Sequence, residues 1–599
     1  VARALRELTL RDLGLHAVVG AVATWPVALT PLTRLAGHTD GDVWNHAWGA
    51  WWFWTRLSSG ELPWRCDELF GPEGGTLWYI DPLGAGLTAV LVPVLGAAGA
   101  WNVLQWASAV LASWAAAQLA ARVAGEGPHV YLASAALALG PYLNGELHNG
   151  ISEACNVGPG LLALTLADAA FREGRARHWI GAGLALGVTT LGTPYYALAA
   201  LLCVVTWSIP WLWRRPALPQ LGGATLAALA TASIAVPAGL AVQASVHASD
   251  ALVHRSNPDA VSGLLLHNGV DPRTFVAPLG FTSVDYAALG EAFVHSGYLG
   301  LVALALAARG LRRTGRWGFA VGGVVTLAFA LGPWLFWNEG WALFGGRRLA
   351  LPYKALELLV PGAAITHPLR LAVPGLAVVG ALAAAGVADL AVWKRRLAIV
   401  LVAADMLVFA RPAWPLSRTE ALDLEAAHHL AKQDAQVVLD LPGAVGSTMA
   451  TSRYLVHQTA HGHPIPYRPD ARASSASLLG TRAFTLFTMA SETRETHREM
   501  LIHQARRVRT VRRGELRDAG VSHVVVHREL ERGRQGVAAT EDLLQLLYGP
   551  PEVFGPHAVY KVAGSGVVVL TPELHHSLLH AAETPSSTPD RADAVQGGP

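Results

Sequence analysis

The stretch Gly37 to Phe53, GHTDGDVWNHAWGAWWF, decides how the rest of the chain is read. It follows the first apolar run and places Asp40 and Asp42 at a membrane surface. Carboxylates at the mouth of a membrane bundle are costly unless they are hydrated, paired or used, so a functional site is the default expectation there. On the N-terminal side, Arg3, Arg6 and Arg11 precede an apolar run from Leu13 to about Leu35. Such a run crosses a ~30 Å hydrocarbon core at ~1.5 Å per residue. It reads as an uncleaved first span, because a signal h-region is usually ~7 to 15 residues and no small-x-small cleavage site follows. The three arginines then hold the N-terminus in the cytoplasm and put Asp40 and Asp42 outside. On the C-terminal side, Trp44, Trp48, Trp51, Trp52 and Trp54 suit a helix lying in the headgroup region, where an amphipathic ring prefers to sit.

The whole chain supports a membrane reading. It has 599 residues, of which 52% are hydrophobic and 15% charged, and a mean hydropathy of +0.34. That is too apolar for an ordinary soluble enzyme. The formal net charge is +2, and the arginines fall in short clusters between apolar runs, which argues against a nucleic-acid partner. Cys66, Cys155 and Cys203 are too widely spaced for a zinc pattern or a disulfide framework. Lysine occurs only at Lys354, Lys394, Lys432 and Lys561 while Ala, Gly, Arg and Pro abound, a bias that points to a GC-rich bacterial genome.

Further apolar runs begin near Leu83, Ala100, His129, Ile151, His178, Tyr195, Leu221, Ser296, Trp317, Leu369 and Leu397. The clusters Arg172/Arg175/Arg177, Arg214/Arg215, Arg309/Arg312/Arg313/Arg316 and Lys394/Arg395/Arg396 fall at every second connection. By the positive-inside rule these ends are cytoplasmic, and the connections near His148, at 247–295 and at 337–368 lie outside beside the aspartates. One run between Leu83 and Leu143 must not cross if this alternation is to hold. His129 to Leu143, short and ending in Gly140-Pro141, is the expected half-span. The fold class is therefore an α-helical polytopic membrane domain over 1–412, with roughly eleven spans plus a half-span and a first external loop over 36–82. After it, AQVVLDLP, SHVVVH and VVVLTP read as short buried strands of an extracytoplasmic α/β domain over 413–575. Residues 576–599 read as a disordered tail.

Asp40 and Asp42 form the sharpest chemical feature. Paired carboxylates on a short loop can hold a divalent cation, or one can act as general base while its neighbour tunes it. His148 and Glu153, in the polar break ELHNGISEACN, can bind hydroxyls, complete a metal site or simply satisfy two helix ends. Arg370, with Arg347, Arg348 and Lys354 on the preceding loop, can bind a lipid phosphate or contact headgroups. His457, His461 and His463 match no common zinc spacing and read as structural or acceptor-contacting histidines. No G-x-S-x-G elbow, P-loop or dinucleotide fingerprint occurs, so no nucleotide cofactor is expected.

This layout resembles the GT-C superfamily of polytopic glycosyltransferases, which use lipid-linked sugar donors. The likeness is carried by Gly41-Asp42, Asn45-His46-Ala47-Trp48 and Trp51-Trp52 in the first loop, HNGISE over His148 to Glu153, and His367-Pro368-Leu369-Arg370 opening a late span. The soluble part, with VVLDLP followed by YLVHQTAHGHPI, resembles the same poorly characterised bacterial branch. The resemblance implies that Asp42 orients or deprotonates an acceptor hydroxyl, with Asp40 as auxiliary carboxylate or metal ligand. Asn45, His148, Glu153, Arg348, Lys354 and Arg370 are the candidate substrate-binding residues. Members of the superfamily differ in metal dependence, so a divalent cation, Mg or Mn, at Asp40 and Asp42 stays open. The implied function is inverting transfer of a sugar from a polyprenyl-phosphate donor to an extracytoplasmic glycan, lipid or protein at the bacterial inner membrane. A lipid-linked glycan flippase and a non-catalytic envelope assembly protein are the alternatives.

Overall fold

The computed structural model describes residues 5, 9–39, 41–214, 218–253, 258–277, 296–338, 340–359, 365–410, 413–443, 448–468, 475–491, 495–531 and 536–583. Asp40 and residues 584–599 lie outside them. Helix α1 (Leu10–Ala23) starts with a capping box in which Thr9 accepts from the Asp12 N–H and Asp12 accepts from the Thr9 N–H. It stops before Trp25-Pro26, so it is shorter than the apolar run. Then come α2 (Val43–Ser58), α3 (Pro82–Ala89), α4 (Val92–Ala124, kinked at Gly96), α5 (Tyr131–Ala138), α6 (Pro141–Asn149), α7 (Ser152–Cys155) and α8 (Gly158–Glu173). The bundle continues with α9 (Ala176–Gly192), α10 (Pro194–Arg214), α11 (Leu218–Val246), α12 (Pro258–His267), α13 (Leu301–Thr314) and α14 (Trp317–Ala330). It closes with α15 (Lys354–Leu359), α16 (Val373–Val387) and α17 (Val392–Ala404).

By length and composition, Val92–Ala124, Ser152–Glu173, Gln220–Val246 and Pro368–Val387 are the four described helices able to cross a membrane, with Pro194–Ile209 and Trp317–Ala330 shorter and apolar. The protein is thus a mostly helical membrane protein. The run His129 to Leu143, the expected half-span, is broken at Gly140, where α5 gives way to α6. Tyr131, which opens α5, donates to Asp12 at the start of α1. The far end of α6 meets the loop after α1, where His148 O accepts from the His38 N–H at 2.6 Å. Through its break at Gly140, the run from Tyr131 to Asn149 therefore reaches from the start of α1 to the loop that follows it. Leu83 to Ala98 is also interrupted, by the end of α3 and the Gly96 kink.

The arginine ends converge as their clustering suggests. Arg122, Arg172 and Arg316, from three separate stretches, bond the Asp168 carboxylate at 3.1, 2.9 and 2.9 Å. At the opposite end the long connections meet the first loop. Thr76 pairs with Ala251, and Arg65 bonds Asp250 at 2.9 Å.

The C-terminal part contains α18 (Glu425–Leu430), α19 (Thr448–His461) and a four-stranded sheet. Its strands are β1 (Val437–Leu441), β2 (Val521–His527), β3 (Glu552–Phe554) and β4 (His557–Lys561), in the order β3-β4-β2-β1 with only β1 and β2 parallel. The final helix Pro572–Glu583 runs past the expected domain end at 575, so 576–583 are helical rather than tail. The core of this part includes Trp48, Trp52, Phe53, Cys66, Leu69 and Leu77 of the first loop. Helix α2 is accordingly not an interfacial helix facing headgroups. Trp48 and Trp52 are fully buried and stack at 5.6 Å, and the Trp48 indole donates to Gln458 Oε1 on α19 at 2.8 Å. Trp48 and Trp52 are spent on docking the C-terminal part, whereas Trp44 packs in the bundle core and Trp51 and Trp54 stay half-buried.

His461 closes α19 with its ring 5% exposed, and Nδ1 accepts the His463 N–H at 3.0 Å. Burial, then the neighbouring histidines, pushes its pKa well below the ordinary value. The unfolded chain takes up this proton near pH ~6.5 and the folded one does not, so the stability is complete above that pH and declines as the pH falls, by up to ~1.4 kcal/mol per unit for this one group. His461→Gln should flatten the fall in sheet protection between about pH 6.5 and about pH 5, read by hydrogen exchange on β1, β2 and β4. An unchanged slope would remove His461 from the account.

Candidate active site

Gly41 and Gly150 clamp the first loop to the end of α6. A Cβ on Gly41 would sit 2.4 Å from Asn149 O, and Gly150, at φ +72°, faces Val43 at a separation only glycine tolerates. The Asp42 N–H donates to Asn149 O at 3.0 Å, fixing Asp42 directly before α2.

Asp42 lines a cavity of about 710 Å³ together with His46, Glu153, Tyr195, His367 and Arg370. Distant stretches of sequence meet in it, among them the first loop, α7, the start of α10 and the 3-10 turn Pro368–Ala372 that opens α16. Arg370 is 5% exposed, with Nε 3.4 Å from Glu146 Oε1 and Nη1 3.7 Å from Glu153 Oε1. Its guanidinium also lies over the Tyr195 ring at 5.5 Å. These contacts leave the planar fork only loosely engaged, since a charge-assisted bond is normally ~2.7–2.9 Å. Glu153 Oε2 and Glu146 Oε2 are buried and accept no hydrogen bond. Unsatisfied buried carboxylate oxygens beside a cavity are acceptors waiting for a donor or a cation.

Behind Asp42 runs a second chain of polar groups. Ser152 Oγ donates to Asp81 Oδ2 at 2.5 Å, a carboxylate 1% exposed. Its one proton is thereby used, so His46 Nδ1 must be the donor across the 3.0 Å to Ser152 Oγ. In the neutral ring this leaves Nε2 unprotonated on the side of Glu153 Oε2, 3.7 Å away. Burial is the largest influence on His46 and pushes its pKa down, outweighing Asp42 and Asp81. A neutral imidazole with a fixed tautomer can accept a proton.

Of the candidate site residues, Asp42, Glu153 and Arg370 share the cavity, and among the described ones Asn45, His148, Arg348 and Lys354 do not line it. Asn45 is half-buried one turn along α2. His148 stacks on His38 with ring centres 5.0 Å apart. Arg348 is exposed and lies over Trp341, and Lys354 lies over Trp334. Asp40 lies outside the described residues, so the aspartate pair as a metal site rests on Asp42 alone. His46, Asp81, Glu146 and Tyr195 were missed. His46 and Asp81 were visible as ionisable residues in the tryptophan-rich and LWYIDP stretches, whereas Glu146 and Tyr195 carried no signal beyond a polar residue in an apolar setting.

No protein-family model matches the chain, and no curated protein matches it in sequence. In three dimensions it is similar to the arabinofuranosyltransferase AftD from mycobacteria, with a TM-score of 0.50 and 16% identity over 94% of this chain. The chain spans only 40% of the length of that transferase. Fainter likenesses are to ArnT from Cupriavidus metallidurans bound to undecaprenyl phosphate, at TM-score 0.45 and 13% identity over 92% of this chain and 97% of that one. The oligosaccharyltransferase AglB from Archaeoglobus fulgidus, in complex with an inhibitory peptide and a dolichol-phosphate, gives 0.45 and 12% over 96% of this chain and 77% of that one. At such identities the first of these speaks for architecture and leaves chemistry to the residues. Because the likeness extends over 94% of this chain, the chain shares the fold of the corresponding part of that arabinofuranosyltransferase.

Proposed function

We propose that the protein transfers a sugar, with inversion, from a polyprenyl-phosphate donor to an extracytoplasmic glycan, lipid or protein acceptor. The observation that carries this reading is the meeting of Asp42, Glu153 and Arg370 in one cavity. An acceptor hydroxyl attacks the anomeric carbon as the bond from that carbon to the phosphate oxygen breaks. The hydroxyl proton passes to Asp42, and the phosphate departs with the electron pair into the field of Arg370. His46, on its chain to Asp81 through Ser152, is placed to take the proton onward.

Glu153 Oε2 lacks a donor, which also suits a divalent cation between Glu153 and Asp42. Such an ion would neutralise charge on the leaving phosphate. Further along α10, which contributes Tyr195 and Leu198 to the active cavity, an apolar cavity of about 340 Å³ is bounded by α8, α9, α10 and α11. It suits a prenyl tail. In this reading the arginine end faces the cytoplasm of a bacterial inner membrane, and the cavity and C-terminal part lie outside.

The test is transfer from a panel of radiolabelled polyprenyl-phosphate sugars to envelope material in membranes containing the protein. Label entering product identifies the sugar. Label that crosses the bilayer as intact donor, with none entering product, would replace the transferase by a flippase.

A further inference from the structure

We infer that the C-terminal part holds a transition-metal ion, zinc by its ligand chemistry, at His457, His527 and His557. This site is separate from the membrane cavity and does not depend on the glycosyl-transfer reading. The three histidines come from three elements. His457 is on α19, His527 ends β2 and His557 begins β4. His527 and His557 are direct partners in the antiparallel β2–β4 register, so their side chains stand on one face. The ring nitrogens of the three lie within 4.8 Å of one another. A tetrahedral ion with Zn–N bonds of ~2.0–2.1 Å needs its nitrogens ~3.4 Å apart, so the rings must close by about an ångström, within reach of side-chain rotation.

Two observations separate this cluster from three packed aromatic rings. The first is polar accounting. His557 is 0% exposed, and neither of its ring nitrogens has a hydrogen-bond partner. His527 is 1% exposed and its Nδ1 has no hydrogen-bond partner. Each orphaned buried nitrogen carries a desolvation cost, and a phenylalanine would fill the same space without it. The second is orientation. His527 Nε2 is 2.7 Å from Asp440 Oδ1 on β1. With Asp440 ionised the carboxylate accepts, Nε2 carries the proton and Nδ1 offers its lone pair to the cluster. A carboxylate fixing the far nitrogen of a histidine is the usual outer arrangement of a zinc-bound imidazole.

Glu529 supplies the fourth position. Its Oε1 is 3.8 Å from His527 Nδ1 and its Oε2 is 3.6 Å from His557 Nδ1, with Oε2 accepting no hydrogen bond. Imidazole nitrogens plus one carboxylate are a zinc-type donor set rather than a magnesium one. An ion there ties α19 to two strands of the sheet. Helix α19 also carries Gln458, which accepts from Trp48, and Arg453, whose guanidinium lies over Trp44 at 5.6 Å. The metal thus braces the contact between the C-terminal part and the loop bearing Asp42.

The experiment uses the full chain purified in detergent, with elemental analysis followed by Co²⁺ titration after chelation. The expected result is one equivalent of zinc per chain, visible tetrahedral cobalt bands, and loss of both in His557→Phe, which keeps the ring volume. Asp42→Asn should retain both, which separates this site from any cation in the cavity. Asp440→Asn should weaken binding by ~10–100-fold and serves as the deciding variant if His557→Phe does not fold. Failure of the wild type to take up zinc or cobalt, or binding that is unchanged in His557→Phe or in Asp440→Asn, overturns the proposal.

Discussion

Asp42→Asn is expected to lower sugar transfer by ~10²–10⁴-fold, the usual worth of a positioned general base, with little effect on folding. The amide keeps the size of the side chain and leaves intact the main-chain bond from the Asp42 N–H to Asn149 O. It removes the proton acceptor and the charge at the cavity. A fall confined to turnover, with acceptor KM nearly constant, is the signature of a group acting in the transition state. A fall in acceptor affinity at constant turnover would instead make Asp42 a binding residue. Turnover close to wild type with a donor identified from the panel would move the base role to His46, whose unprotonated Nε2 is the other acceptor at the cavity.

The helical bundle was legible because apolar runs and arginine clusters follow directly from the physics of the bilayer. Arg122, Arg172 and Arg316 do meet at one end, on Asp168. Less legible was any feature that depends on which distant pieces touch. The run His129 to Leu143 ends in sequence at an apolar-to-polar boundary, and its continuation past Gly140 as the polar α6 is invisible to a hydropathy reading. The tryptophans of α2 carry the composition of an interface helix, yet Trp48 and Trp52 are buried against α19. Hydrophobicity records that a residue avoids water, and is silent on whether lipid or protein receives it. The cavity shows the same division. Asp42, Glu153 and Arg370 stand out as ionisable residues beside apolar runs, whereas the role of Glu146 follows only from Arg370, far along the chain. The histidines of the C-terminal part are the sharpest case. Local spacing groups His457 with His461 and His463, but the register of β2 and β4 brings it His527 and His557 instead.

Arg370 carries the second large expectation, and here stability and catalysis have to be separated. Arg370→Met leaves Glu146 and Glu153 buried without their cation, and removing one partner of a buried pair typically costs ~3–5 kcal/mol. The variant should therefore unfold at lower temperature as well as lose transfer. Adding Glu146→Gln removes one of the two carboxyl groups left without their partner, so the double variant should regain part of the lost stability, measured as Tm in detergent. It should regain none of the transfer, because the group that receives the departing phosphate is still missing. Arg370→Lys completes the series. The ammonium preserves the charge and most of the stability, yet lacks the planar fork that meets two oxygens at once. Transfer by Arg370→Lys is expected to fall by ~10²-fold, the order lost with one preorganised electrostatic donor. If Arg370→Met with Glu146→Gln transfers sugar as well as the wild type, Arg370 is a structural counter-ion for Glu146 and Glu153, and the phosphate must be held elsewhere in the cavity.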